Sequence, residues 1–469
     1  MLPLIEIPTI VQHYAHWFEP VFSEQAMTQF QRYVSGLLVS DNKTVDGINN
    51  AVLHEQRNQS SLNRFLTECP FSEELLNRQR LALLGSLPGT QVKPKGVLAV
   101  DDTLLAHYGE QFDGIAQLYD PAANRYVWAH NLVNLHYSDD TTDYPFFFQL
   151  WHPADLEKVE QGLLAAGVPL RAAKVPLKES APYKWRQYLL GVWRRDQDDP
   201  AVAALYESKL TIAQHLLRQW VAAYPGQKLP VTFDNWYTQP EFCRFLVQEL
   251  GLDYVGTMGD ADIVLLQSGP VTVQSFAARL KQEHLDRLNQ GQPPLFRKIG
   301  TFYKGTKEVY YSYCQTHRIH RFGKQRLVIN YQREDLSDAP TYFISNRLNW
   351  HARGITRIRR HRWPVEVYHE EGKAEGLDQY QVRDWQAIVR HIGLVAVAYS
   401  ILRATPHDET LLEKLRRQLE LRLEGSAAFW RRATTAQSLW ALACFISMGL
   451  TQGQTLRGLM APLLATICR

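Results

Sequence analysis

The sequence predicts an α/β protein in which a central core of strands and helices is flanked by helical regions. Three observations lead to this prediction. Short apolar runs at residues 97–100 and 231–233 end in acidic residues, a pattern typical of buried strands. Segments rich in aromatic and β-branched residues lie at 126–137 and 144–151, with a polar turn between them. Helical patterns dominate both ends of the chain.

The length and composition indicate a folded protein with several domains. A chain of 469 residues is too long for one ordinary core, so roughly two to four domains are expected. Apolar residues make up 45% of the chain and charged residues 21%, which excludes an intrinsically disordered chain. The net charge of +3 is too small to indicate nucleic acid by itself. The 5 scattered cysteines indicate neither a zinc ribbon nor a disulfide framework and fit a reducing cytoplasm.

Residues 1–90 are predicted to form a helical, DNA-binding domain. Amphipathic stretches at 43–53 and 60–66 are separated by a polar segment, as in a helix-turn-helix. The alternative is a helical cap on the domain that follows.

The core is predicted at residues 91–258 and 346–400. After the first three strands, residues 152–200 read as irregular and 201–223 as a helix. A strand at 230–234, a helix opening with a capping-box sequence at 238–241, and a strand at 254–256 follow.

Residues 259–345 are predicted to be a β-rich insertion, and residues 401–469 a C-terminal helical region. The most apolar run, at 392–402, is about half the length that spans a bilayer, so it predicts a buried helix.

Two acidic residues come at the ends of predicted strands, Asp101 after 97–100 and Asp234 after 231–233. A strand-end acid points into the crevice at the edge of an α/β sheet, and neighbouring strands lie roughly 5 Å apart. If the two strands pair, the carboxylates converge and repel each other unless a cation lies between them. Such oxygen ligands suit Mg²⁺ or Mn²⁺. Asp102 competes with Asp101, because side chains alternate along a strand and only one of the two faces the site.

A third acid, Glu366, lies on a helix predicted to begin near Pro364. Glu366 and Lys373 are seven residues apart and share one face of that helix. A carboxylate for metal beside an ammonium for phosphate is what the cutting of DNA requires, whereas a surface ion pair is the simpler interpretation. Glu370, one turn further along, is the competing third acid.

A run of basic residues precedes Glu366. Arginine clusters of this density suit phosphate contacts, and beside Glu366 they favour DNA as the partner. The run comprises Arg353, Arg357, Arg359, Arg360, His361 and Arg362.

The acids and their neighbours resemble the DDE transposases of bacterial insertion sequences. In that family the first acid lies in an Asp-x-Thr motif, which Asp101 and Thr103 match. The second lies in a motif that resembles Asp-x-x-Tyr, which Asp234 and Tyr237 match.

The third acid of one group in that family lies in a signature of Tyr, two residues, Arg, three residues, Glu, six residues and Lys. Arg362, Glu366 and Lys373 match at these spacings, whereas Arg359 stands at the tyrosine position. The long stretch between Asp234 and Glu366 resembles members with a β-rich insertion before the last catalytic helix.

The resemblance implies a ribonuclease H-like core and a transposase that uses two Mg²⁺ ions, with Mn²⁺ as a substitute. It implies Asp101, Asp234 and Glu366 as metal ligands, and contacts to double-stranded DNA from Arg359, Arg362 and Lys373. Water would nick an element end, and the freed 3′-hydroxyl would attack target DNA. Joining two ends implies a homodimer.

Two rival functions are weighed against this interpretation. A transposase-derived protein that binds DNA without cutting it is disfavoured because all three acids are present. A hydrolase with a carboxylate pair for another substrate, such as a glycosidase, is disfavoured by the arginine run.

Overall fold

The computed structural model describes residues 6–52 and 58–432, with side chains described up to residue 420. The described residues up to His407 form one compact unit, which contains every described strand, and a second unit begins at Asp408. Residues 433–469, most of the predicted C-terminal helical region, and residues 53–57, in the predicted helix-turn-helix, lie outside the described residues.

The described strands form one mixed sheet. Its order is β2-β3-β1-β5-β6-β12-β11-β10-β7-β8, with β4 also paired to β3 and β9 to β10. The strands are β1 (Val97–His107), β2 (Ala116–Asp120), β3 (Arg125–Ser138), β4 (Asp143–Trp151), β5 (Val231–Phe233), β6 (Tyr254–Thr257), β7 (Ile263–Leu266), β8 (Gly269–Thr272), β9 (Arg297–Tyr303), β10 (Thr306–Ile319), β11 (Gly323–Tyr331) and β12 (Thr341–Ser345).

Strand β1 is central and longer than the sequence pattern predicts. Its first four residues, 97–100, are fully buried, which explains their continuous apolar character. The strand does not end at Asp101, as predicted, but continues to His107. The reason is that β3 pairs antiparallel along the whole of β1, whereas the parallel partner β5 stops at Phe233. Asp101 is therefore the first residue of β1 beyond the end of β5.

The described helices are α1 (Thr9–Tyr14), α2 (Glu24–Val39), α3 (Val45–Ala51), α4 (Ser60–Thr67), α5 (Glu73–Ser86), α6 (Leu156–Ala165), α7 (Leu177–Ser180), α8 (Pro182–Asp196), α9 (Pro200–Ala203), α10 (Lys209–Ala223), α11 (Pro240–Arg244), α12 (Val273–Asn289), α13 (Ala352–Arg360), α14 (Trp363–Ala374), α15 (Trp385–Ala404) and α16 (Glu409–Arg432). A π-helical turn, Phe245–Glu249, continues α11, and 3₁₀ turns lie at Ala15–Phe18, Ala172–Lys174 and Thr405–His407.

The prediction that residues 152–200 are irregular is wrong, because α6, α7 and α8 lie there. Asp155 caps α6 by accepting from the N–H groups of Glu157 and Lys158, and Pro182 stands in the first turn of α8. Helices α6 and α8 bury a small apolar cluster that includes Val159 and Trp185. The helix predicted at 201–223 is interrupted, and its main part, α10, begins after a Ser208 cap.

Residues 259–345 contribute six strands, and these join the central sheet. The sequence did not predict the long helix between them, α12, which Thr272 caps by accepting from the N–H of Ser275. Strand β12 pairs antiparallel with β6, so the sheet runs without a break from the core into this segment.

The N-terminal helices α2, α4 and α5 pack against α15. Polar pairs hold them there: Tyr33 with His391, Arg80 with Ser400, and Arg390 with Glu73. Helix α15 is long and apolar enough to cross a membrane, but 83% of its most apolar window is buried inside the protein. This agrees with the predicted buried helix.

Helix α13 positions the basic run. Its buried residues Ala352, Ile355 and Ile358 pack on strand residues that include Val255 and Val328. This packing fixes the helix against the sheet, so that its C-terminal end leads directly into Arg362 and α14.

Candidate active site

Asp101 and Asp234 lie side by side where β5 ends. The parallel pairing of β1 with β5 aligns Val100 with Phe233, so the next residue on each strand is an aspartate. Asp101 is only 9% exposed. The strand pairing on which the predicted convergence of the two acids depends is therefore present.

Backbone N–H groups hold one oxygen of each aspartate. The Asp101 Oδ1 accepts from the N–H of Asp102 at 2.9 Å. The Asp234 Oδ1 accepts from the N–H groups of Trp236 at 3.0 Å and Tyr237 at 3.2 Å. These contacts orient both carboxylates; the second oxygen of Asp234 faces no described donor, whereas the second oxygen of Asp101 pairs with Arg362.

Arg362 brings the third acid to the first. It directly precedes α14, and its guanidinium forms ion pairs with the Asp101 Oδ2 and the Glu366 Oε1. Arg362 is mostly buried, whereas the side chain of Glu366 is 32% exposed. A single cation thus joins the acid on β1 to the acid on α14.

Burial makes negative charge costly at this position. It raises the pKa of Asp101 to about 7, with Arg362 opposing the rise and Asp234 and Asp102 adding to it. Burial also raises the pKa of Asp234, against the N–H of Tyr237 and the charge of Arg362. Two buried carboxylates that repel each other form an environment that favours a bound cation.

A cleft of about 1060 Å³ opens beside Arg362. Its walls include Arg359, Arg360 and Trp363 on the α13–α14 side and Tyr310 on β10. Arg362 and Asn235, the residue after Asp234, line the cleft, whereas Asp101, Asp234 and Glu366 are not among its lining residues.

Comparison with known families identifies the family to which the chain belongs. Residues 18–271 match the family model described as DDE superfamily endonuclease. The chain belongs to this family. No curated protein matches the chain.

The family match spans two of the three predicted acids. Asp101 and Asp234 fall within the matched residues, whereas Glu366 lies beyond residue 271. A DDE endonuclease acts on DNA, and members of the superfamily use divalent metal ions. The prediction that the protein is a transposase-like nuclease is therefore confirmed.

Asp102 faces the opposite side of the sheet from Asp101 in this DDE endonuclease. Its carboxylate accepts from Lys209 at 2.9 Å, from the hydroxyl of Tyr237 at 2.9 Å and from the amide of Asn131 at 2.6 Å. These partners occupy Asp102, so the geometry favours Asp101 as the acid that faces α14.

Residues that the sequence reasoning did not single out anchor α14 over Asp101. Asn134 is the antiparallel partner of Asp101 on β3, and its amide contacts the Nε2 of His369 at 3.0 Å. Burial lowers the pKa of His369 to about 3, so the imidazole is neutral and can accept from the amide. His369 lies three residues after Glu366 on the same helix, a spacing that could have revealed it.

The predicted DNA-binding residues differ in their surroundings. Arg359 is largely buried: its Nε donates to the Thr257 hydroxyl at 2.9 Å, and burial, followed by the charge of Arg362, lowers its pKa to about 9. Lys373 is partly exposed, and its side chain makes no ion pair or hydrogen bond with any residue that the structure describes.

Other members of the basic run are neutralised by the protein itself. Arg357 pairs with Asp140 at 3.1 Å, and Arg360 pairs with Glu308 at 2.9 Å. His361 is fully buried, and its Nδ1 contacts the Ser138 hydroxyl at 2.8 Å. Carboxylates of the protein therefore neutralise part of the run for which the sequence predicted phosphate contacts.

The described part of the chain contains no cluster of three or more His, Cys, Asp or Glu side chains close enough to hold a metal ion. The chemistry of the donors nevertheless fits a hard divalent cation. Asp101 and Asp234 supply oriented oxygen ligands, which suit such an ion, and burial raises the pKa of both carboxyls.

Proposed function

We propose that the protein is a DNA transposase that nicks element ends and joins the 3′-hydroxyl ends to target DNA. The observation that carries the proposal is the convergence of Asp101 and Asp234 at the end of β5, with Arg362 linking Asp101 to Glu366. The membership in the DDE superfamily supports the same chemistry.

We propose a ribonuclease H-like core for the strands that carry this site. Strands β4, β3, β1, β5 and β6 are neighbours in that order, with β3 antiparallel to β1 and with β5 and β6 parallel to it. In this arrangement β1 is central, and residues 259–345 are an insertion that extends the sheet.

Asp101, Asp234 and Glu366 are the proposed ligands of Mg²⁺, for which Mn²⁺ can substitute. When bound, a pair of divalent ions would activate the attacking oxygen and stabilise the leaving one. Two features support a metal ion here. The site offers carboxylate oxygens, and burial disfavours the charged forms of Asp101 and Asp234, which a bound cation would stabilise.

The chain's own cations hold the DNA in this proposal. Arg362 lies between the two acids and the cleft, so it can contact a phosphate while remaining beside Asp101. Lys373 has no direct partner among the described residues and lies two turns along α14 from Glu366. Arg359 lines the same cleft. Guanidinium and ammonium groups neutralise phosphate charge and fix its position.

The reaction proceeds in two displacements. A water oxygen bonds to the phosphorus at an element end, the bond from phosphorus to the 3′ oxygen breaks, and that oxygen takes a proton. The freed 3′-hydroxyl then loses its proton, bonds to a phosphorus of target DNA and displaces a target 3′ oxygen. No covalent link between protein and DNA forms, and the joining of two ends favours a homodimer on paired ends.

The test uses a supercoiled plasmid that carries the inverted repeats flanking the gene. The full chain should nick and join this DNA with Mg²⁺ or Mn²⁺, and EDTA should stop both reactions. Asp234→Ala should lose cleavage but keep duplex binding, whereas Asp286→Ala, at an exposed position of α12, should retain both. If the wild-type chain binds the DNA but never cuts it with either ion, the protein is an inactive descendant of a transposase.

A further inference from the structure

The hairpin formed by β9 and β10 presents an outer face with a repeating chemical pattern. Phe302 lies directly opposite Lys307, and Lys298 lies directly opposite Tyr311. Opposite residues of an antiparallel pair point to the same face, so cations and aromatic rings alternate there. Gly300 lies between the pairs, and its missing side chain leaves room over which Lys307 folds.

Arg353, at the start of α13, joins this face. Lys298, Phe302, Lys307, Val309 and Arg353 form what is called here the hairpin patch, which surrounds a shallow depression of about 390 Å³. The side chain of Phe302 is 51% exposed, and the three cations are exposed. The lining of the depression contains three cations and no carboxylate.

The cations of the hairpin patch differ from the arginines near the acids. Arg357 and Arg360 are each paired with a carboxylate of the protein. The side chains of Lys298, Lys307 and Arg353 form no ion pair or hydrogen bond with any residue that the structure describes, although the Lys298 ammonium lies 5.8 Å from the ring centre of Tyr311. Glu334 accepts from the Tyr311 hydroxyl at 3.0 Å. Three unpaired positive charges around an exposed ring are available to a polyanion.

The opposite face of the same hairpin is attached to the candidate active site. Arg360 forms an ion pair with Glu308 on β10, and its guanidinium lies 4.5 Å from the ring centre of Tyr303 on β9. Arg360 is two residues before Arg362, which pairs with Asp101. The hairpin is therefore held to the segment that completes the site.

Two further features join the patch to the site. Arg353 stands at the start of α13, and Arg362 follows the turn at the end of that helix. Val309 lines both the depression of the hairpin patch and the cleft beside Arg362.

We propose that the hairpin patch binds the phosphate backbone of the double-stranded DNA that occupies the site. This inference rests on the proposed function for the identity of the DNA. Lys298, Lys307 and Arg353 supply the phosphate contacts, and Phe302 packs against the sugar edge between them.

The decisive experiment compares two triple variants of the full chain in duplex binding at graded salt. Lys298→Ala, Lys307→Ala and Arg353→Ala together should lower the salt slope by about 3, because each lost phosphate contact removes about one counterion. The control triple, Lys158→Ala, Lys174→Ala and Lys184→Ala, removes the same charge from exposed positions on and near α6 and α8 and should leave the slope unchanged.

Substrate length adds a second readout. A duplex trimmed to the base pairs beside the cut phosphate should bind the patch variant and the wild type alike, whereas one extending well beyond them on both sides should distinguish the two. With the long duplex the patch variant should show a raised KM and an unchanged kcat, because the patch positions DNA and does not touch the reacting phosphate.

Several outcomes would overturn the inference. An unchanged salt slope in the patch variant, an equal change in the control triple, or an equal loss for a single strand of the same length would each exclude a specific duplex contact. A wild-type chain that binds duplex through the patch but never cuts it would contradict the proposed function and leave the patch supported. Unchanged thermal unfolding of both triples shows that folding is not the cause.

Discussion

Replacing His391 with glutamine should make the protein less sensitive to acid. His391 is fully buried on α15, and its Nδ1 contacts the Tyr33 hydroxyl at 2.8 Å while its Nε2 contacts the Gly376 carbonyl at 2.8 Å. The carbonyl can only accept, so Nε2 carries the proton and Nδ1 accepts from Tyr33. The imidazole is thus neutral, and it lies 5.4 Å from the ring of Tyr380.

The magnitude follows from the pKa. Burial lowers the pKa of His391 from 6.5 to about 4, with the Gly376 carbonyl opposing the shift. A lowered folded-state pKa means that protons bind the unfolded chain more tightly, so stability is full above pH 6.5 and falls as the pH drops towards 4. One pKa unit corresponds to about 1.36 kcal/mol, so lowering the pH from 7 to 4.5 should reduce the contribution of this residue to the free energy of unfolding by at most about 2.5 kcal/mol.

The assay is urea unfolding of the wild type and of His391→Gln at pH 7 and pH 4.5. Glutamine stays neutral and can donate to the Gly376 carbonyl. The free energy of unfolding of the variant, relative to that of the wild type, should therefore be about 2 kcal/mol higher at pH 4.5 than at pH 7. His16→Gln, at an exposed position, is the matched control and should follow the wild type. If wild type and His391→Gln lose stability in parallel, the buried imidazole does not set the acid sensitivity and this reasoning is refuted.

Three further predictions concern the site and the packing around it. Glu366→Gln should lose both strand cleavage and strand transfer, whereas Glu370→Gln should retain most of each in parallel assays with Mg²⁺ and Mn²⁺; the reverse ranking would move the third ligand to Glu370. Tyr237→Phe removes the hydroxyl that donates to Asp102 at 2.9 Å, so the free energy of unfolding should fall by about 1–2 kcal/mol and DNA cleavage should slow. An unchanged cleavage rate would show that the contact does not position Asp234. Gly376→Ala should lower the thermal midpoint and the free energy of unfolding, the latter by about 1–3 kcal/mol, because φ is +101° and a Cβ would lie 2.5 Å from the Cβ of Lys43. A midpoint equal to that of the wild type would mean that the loop relaxes.

The sequence was most informative where chemistry depends on short spacings. The runs before Asp101 and Asp234 indicated buried strands because their residues are buried on both faces, and the four-residue step from Arg362 to Glu366 is one helical turn. The pairing of β1 with β5 could only be hypothesised, because more than a hundred residues separate them.

The features that were missed depend on partners distant in the chain. Lys209 reaches Asp102 across 107 residues, and Glu308 and Asp140 neutralise arginines that looked free in the sequence. Helices α6 and α8 were missed because their apolar residues are spread among many charges and their caps are single residues. A local pattern carries no information about such tertiary contacts.

The continuity of the sheet determines how freely the chain can be shortened. Strand β6 has β5 on one side and β12 on the other, and β12 lies within residues 259–345. Excision of that segment would leave β6 with a row of unpaired N–H and C=O groups, an open edge that recruits strands from other molecules. The segment is therefore not a detachable module. Truncated forms should aggregate, and a shorter version of the enzyme would need a new strand or a covering helix at β6.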